Sequence, residues 1–93
     1  MIFIDGLDWK ERNADHIEQR HGVSPPEVQE AVDNRIHCFK HKGVLIVLGQ
    51  TDVGRFLTLV LAETETVGLW RPITARECSR AERRLANARL VSR

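Results

Sequence analysis

Arginine and histidine are the side chains here whose types and spacing suit chemistry on a phosphate. Arg71 to Arg93 holds seven arginines, no lysine and two acids, Glu77 and Glu82, a local charge of +5. The whole chain carries only +1, so the remainder is acidic at −4. Such a lopsided balance points to a polyanion, RNA foremost, as the partner of the basic part. Guanidinium strengthens that reading, because its planar fork of donors matches phosphate oxygens where an ammonium is a mobile point charge. The competing reading is a solvated, arginine-rich terminal helix. Histidine is the residue whose ordinary pKa suits proton transfer near neutrality, and four are present: His16, His21, His37 and His41.

Several of these residues have both a chemical and a structural reading. Arg55 follows a glycine turn at the start of a strand pattern, where it projects from the rim of a sheet toward a ligand or a surface acid. Arg76 ends the next strand just before the last helix; it either contacts a phosphate or salt-bridges Glu77 or Glu82 to fasten that helix. His21 closes a helix, where the macrodipole favours its protonated form. That suits a general acid or a cation for phosphate, but also a residue bonded to an orphan carbonyl. His16 and Arg20, four apart, share a helix face and form a joint basic site, or His16 packs half-buried beside Trp9 and Ile17. Arg80, Arg83 and Arg84 read as an exposed patch for steering RNA or an acidic protein partner, and Arg89 and Arg93 as a solvated end. Glu82 reads as a capping acid. His37, Cys38 and His41 match no zinc spacing and lack a second ligand pair, so neither a metal nor another cofactor is expected.

The elements that must position these groups are legible in outline. Met1 to Asp5 alternates like a brief strand ending at Gly6. Asp8 with Glu11 suggests a capping box for a helix to about Arg20, ended by Gly22. Ser24, Pro25 and Glu27 give the clearest signal, a capped helix to about Val32 stapled by Val23 and Val28. Arg35 to Lys40, Val44 to Gly49, Arg55 to Glu63 and Leu69 to Arg76 then read as four strands joined by short turns, an antiparallel meander. Both faces of the third are mostly apolar, so it is central; Pro72 places the fourth at an edge or a bulge. Ser79 with Glu82 caps a last helix whose inward stripe is expected to be Ala81, Leu85 and Ala88. The fold class is α+β: one small domain over 1–93, in the order β-α-α-β-β-β-β-α.

Composition bounds the rest. Ninety-three residues, 42% apolar and 29% charged, suit a single modest core. The longest apolar run, Val44 to Leu48, falls far short of the roughly 20 residues that span a bilayer. No secretory signal is visible, and two distant cysteines, Cys38 and Cys78, suit reduced thiols in the cytoplasm.

Trp9, Asn13 and Arg20-His21-Gly22-Val23-Ser24 with Glu27, then Leu48 through Leu57, then Ile73-Thr74-Ala75-Arg76 and Glu82-Arg83-Arg84, resemble the BrnT toxin family of the RelE-like ribonuclease superfamily. The likeness runs in order from about residue 7 to residue 85. It implies a RelE-like fold and a toxin that cleaves RNA without a metal, neutralised by an antitoxin protein encoded by a neighbouring gene. It also favours phosphate-binding roles for Arg55 and Arg76, beside which residue type and helix position offer His21 or His16 for proton transfer or charge stabilisation. Two departures stand out. The chain has no tyrosine where such proteins carry one after the Glu-Arg-Arg segment, so stacking on a base is either lost, as in a weakened or inactive toxin, or supplied by Phe56 or Trp70. Pro72 also stands where relatives keep a ladder donor.

Overall fold

The computed structural model describes residues 2–91; Met1 and Arg93, included in the expectations above, lie outside them. The elements are β1 (Gly6–Leu7), α1 (Glu11–His21), α2 (Pro25–Asp33), β2 (Arg35–His41), β3 (Val44–Gln50), β4 (Phe56–Glu63), β5 (Leu69–Glu77) and α3 (Arg80–Val91). The expected α+β order is therefore observed, with a five-stranded sheet ordered β1-β5-β4-β3-β2. Four strands form the antiparallel meander, and β1 adds to β5 in parallel through Gly6↔Leu69 and Leu7↔Trp70.

The helix ends follow local chemistry where it is strong. At α2, Ser24 Oγ accepts from the Glu27 amide and Glu27 Oε1 accepts from the Ser24 amide at 3.0 Å, a complete capping box with Pro25 where no N–H is needed. Val23 and Val28 are fully buried beside it. Gly22 ends α1 at φ 63°, left-handed backbone that glycine adopts without a Cβ penalty, and its amide donates to Glu18 O. The box expected from Asp8 does not form. Lys10 occupies the cap position of α1 without a side-chain bond, while Asp8 Oδ2 accepts from Arg71 Nη2 at 2.9 Å. The Arg71 guanidinium holds the Asp8 carboxyl below the usual range.

The N-terminal strand also differs from expectation. Residues 2–5 make no ladder; the amides of Asp5 and Gly6 both donate to Gly68 O, and pairing begins at Gly6. Ile2 and Ile4 pack against the core, so the apolar alternation reports burial of side chains and not strand pairing.

Paired residues share a face of the sheet, which divides it cleanly. On one face Leu45, Val47, Leu57, Leu59, Leu61 and Ala75 are fully buried beneath Ile17 of α1 and Val28 and Ala31 of α2. A Cβ at Gly49 would lie 2.0 Å from Ala31 O, so a side chain there would push α2 off β3. On the other face α3 covers the row His37–Leu48–Thr58–Arg76, with Leu48 and Thr58 each 1% exposed. Here the expected inward stripe is corrected: Ala81, Leu85 and Ala88 are exposed, whereas Ala86 is buried and Glu82 half-buried. Glu82 sets that rotation, because its carboxylate is drawn onto the sheet by Arg76 and Thr58.

Pro72 pairs with Leu61 immediately beside a register shift between Val60 and Leu61. The bulge absorbs the missing donor, and Asn13 Nδ2 donates to the Pro72 carbonyl at 3.0 Å, tying α1 to β5. Among the described residues no helix is long and apolar enough to cross a membrane.

Candidate functional site

The turn between β3 and β4 is built to fix Arg55. Thr51 N donates to Arg55 O, Arg55 N to Thr51 Oγ1 (3.0 Å), and Gly54 N to Thr51 O. Asp52 N donates to Glu30 of α2 while Asn34 donates to Asp52, so the turn is anchored to that helix from both sides. From this base the Arg55 guanidinium reaches three acceptors: Glu27 Oε2 at 2.9 Å, Glu77 Oε1 at 3.0 Å and Gly22 O at 3.0 Å. The carboxylates of Glu27 and Glu77 raise its pKa further. Glu27 is lowered in turn, first by the Ser24 amide and then by Arg55. The Gly22 contact brings Arg55 to the end of α1, where His21 is exposed.

Arg76 anchors a second cluster. Its Nη1 and Nη2 donate to Glu82 Oε1 (2.6 Å) and Oε2 (2.8 Å), a bidentate pair. The Ser79 amide (2.7 Å) and Thr58 hydroxyl (3.0 Å) complete the carboxylate's partners. This arrangement, Arg76 foremost, pulls the Glu82 carboxyl from its ordinary 4.5 down to about 2. Thr58 Oγ1 also lies 3.2 Å from Cys78 Sγ, and burial pushes that thiol's pKa up. Arg83 lies over the Phe56 ring, 4.4 Å from its centroid.

Glu77 joins the two clusters. Its carboxylate accepts from Arg55 and its carbonyl accepts from Arg76 Nη1 at 3.2 Å. Because Leu57 pairs with Glu77 and Thr58 with Arg76, the two arginines lean to opposite faces of the β4–β5 ribbon at the same end of the sheet. Each has the acid partner its structural reading required.

The other candidates are distributed around this centre. His16 is exposed and not half-buried; it lines a separate depression with Arg12, Asp15 and Gln19. That site is about 7 Å up the helix axis from His21. Arg20 is exposed one residue before His21, and Arg80 and Arg84 are exposed along α3. Of the two aromatics offered for stacking, Trp70 is 7% exposed and donates its ring N–H to Phe3 O at 2.8 Å, which leaves Phe56 under Arg83. His37 and Cys38 are consecutive on β2 and point to opposite faces, so they do not converge. Among the described residues no group of three or more His, Cys, Asp or Glu could hold a metal.

Thr58 escaped sequence reasoning, and Glu77 entered it only as a possible partner of Arg76. Thr58 carried a signal, a lone hydroxyl within the apolar run of β4, whose burial is offset by the hydrogen bond it donates to Glu82. The pairing of Glu77 with Arg55 carried none, since it follows from strand register.

No protein-family model matches the chain, and no curated protein does. Among solved structures, the crystal structure of the Brucella abortus ribonuclease toxin BrnT is similar, with a TM-score of 0.64 over 81% of this chain and 97% of that one at 13% identity. At that identity the likeness concerns the backbone arrangement: this chain has a BrnT-like toxin fold.

Proposed function

We propose that the chain is a metal-independent endoribonuclease toxin of a toxin-antitoxin pair, acting on RNA in the cytoplasm and restrained by an antitoxin protein encoded by a neighbouring gene. The observation that carries this reading is that Arg55 and Arg76 both contact Glu77, one at its carboxylate and the other at its carbonyl from the opposite face, at a sheet end bordered by His21, within a fold shared with a ribonuclease toxin. Cleavage without a metal requires the ribose 2′-hydroxyl to give up its proton to a base as it attacks the adjacent phosphorus in line, and the 5′-oxygen to take up a proton as its bond to phosphorus breaks. The products are a 2′,3′-cyclic phosphate and a free 5′-hydroxyl. Arg55 and Arg76 hold the phosphate and take up the charge that develops on its oxygens. His21 supplies the proton or a further positive charge, with His16 more distant on the same helix.

Both arginines are occupied by carboxylates, so substrate phosphate must compete for them. Glu77 is the weakest holder, its side chain 67% exposed against 27% for Glu27 and 25% for Glu82. An exposed ion pair contributes roughly 0.2–1 kcal/mol, little enough for a phosphate to replace it. Arg20, Arg80, Arg83 and Arg84 then guide the RNA backbone.

The satisfied arginines, with the missing tyrosine, also favour a second reading, a silent module that binds RNA or a partner protein without cleaving. Induced expression in a bacterial host separates the two. A toxin arrests growth, and Arg55→Ala and Arg76→Ala variants that keep the fold do not; growth unaffected by the wild-type chain leaves only the silent module.

A further inference from the structure

The face of the sheet beneath α3 is only half covered. The helix shields the row His37–Leu48–Thr58–Arg76, but the next row, Phe39–Ile46–Val60–Thr74, is half-buried to exposed, with Phe39 at 37%. Beyond it Val44 and Ala62 are likewise half-buried. On the opposite face of the same strands Leu45, Val47, Leu59 and Leu61 are fully buried, so the openness belongs to this face alone.

The helix contributes to the same opening. Glu82 and Ala86 point inward, and Arg83 leans over Phe56 at the near end of β4. Successive helical residues turn by about 100°, so Ala81 and Leu85 occupy the flank away from Phe56, the one that borders the open row. Both are exposed, Leu85 at 36%. The result is an apolar shelf with the sheet as floor and the flank of α3 as wall.

Its rim is basic. Arg80 and Arg84 line the outer side of α3, and His41 and Lys42 lie at the β2–β3 turn. None of the open positions is acidic, and Glu82, the one acid of α3, is held by Arg76. We infer that this shelf docks an acidic amphipathic segment of a partner protein, its apolar side on Ile46, Val60 and Leu85 and its carboxylates against Arg80 and Arg84. RNA fits the shelf poorly, because a largely aliphatic floor offers Phe39 alone for base stacking. A second copy of this chain fits poorly too, since a two-fold contact would oppose arginine to arginine. The shelf lies apart from Arg55 and Arg76, shares Arg80 and Arg84 with the path proposed for the RNA backbone, and stands whether or not RNA is cleaved.

Isotope-labelled protein titrated with a helical peptide of about five turns, leucine on one side and glutamate elsewhere, tests the assignment by amide chemical shifts. The expected result is perturbation centred on Phe39, Ile46, Val60 and Leu85, with affinity weakened about tenfold in each of Leu85→Glu and Arg84→Glu. Both positions are exposed, so the variants keep the wild-type spectrum elsewhere. The inference is overturned by an undiminished affinity in Leu85→Glu, by equal binding of a lysine-for-glutamate peptide, or by no binding of the acidic peptide. Shifts of the Phe39, Ile46 and Val60 amides on adding oligouridylate in place of the peptide, or on concentrating the protein alone, assign the shelf floor to RNA or to self-association and equally overturn it.

Discussion

Replacing Glu82 by glutamine probes the charge logic of the Arg76 cluster. The Glu82 carboxyl titrates at about 2 instead of 4.5 because Arg76 grips both oxygens, with the Ser79 amide and Thr58 hydroxyl in support. At about 1.4 kcal/mol per pH unit the difference is worth roughly 3 kcal/mol as an upper figure. The side chain is 25% exposed, so solvent screening brings the working value to about 1–3 kcal/mol. A carboxyl whose folded pKa lies below its unfolded one stabilises the fold fully above pH 4.5, and that stability is lost as pH falls toward 2. Urea unfolding of wild type and Glu82→Gln between pH 7 and pH 2.5 reads the effect. Asp8 and Glu27 are also lowered, so both proteins weaken in acid and the gap between them carries the information. Wild type should exceed the variant by about 1–3 kcal/mol at pH 7, with the gap closing through pH 4.5 toward pH 2.5. A gap that stays constant with pH refutes the reasoning.

Other consequences follow from single contacts. Gly49→Ala places a methyl 2.0 Å from Ala31 O, and thermal unfolding should show a loss of at least about 3 kcal/mol or no folded state. Arg55→Ala removes two ion pairs and a bond to Gly22 O, for a loss of about 1–2 kcal/mol in urea; Arg55→Lys, without the planar fork, should recover less than half of it. Thr58→Val keeps the volume but strips a donor from Glu82, so it should cost about 1 kcal/mol and raise the acid midpoint of the Glu82 carboxyl, read by NMR titration. Burial raises both thiols, so Cys38 and Cys78 should alkylate much more slowly at pH 7.5 in the native protein than in urea.

What the sequence revealed was what local chemistry decides. Ser24, Pro25 and Glu27 specify the start of α2 among themselves, and the short turns at Lys42-Gly43 and Gly54 divide the meander into the strands observed. What it concealed was decided by distant partners. Asp8 gave up a capping role because Arg71, sixty-three residues away, is the stronger ligand. The rotation of α3 was set by Glu82 reaching Arg76 and Thr58, so an apolar stripe that read as inward lies in solvent. Arg55 and Arg76 were recognisable as candidates from type and position. Their opposite faces and shared neighbour Glu77 depend on the β4–β5 register, which no single strand encodes.

Incubating the purified chain with RNA in excess EDTA tests the central claim most directly. The account predicts fragments ending in 2′,3′-cyclic phosphate and free 5′-hydroxyl, formed by the wild type and not by folded Arg55→Ala or Arg76→Ala. Intact RNA, or cleavage that appears only when a divalent metal is restored, would contradict it.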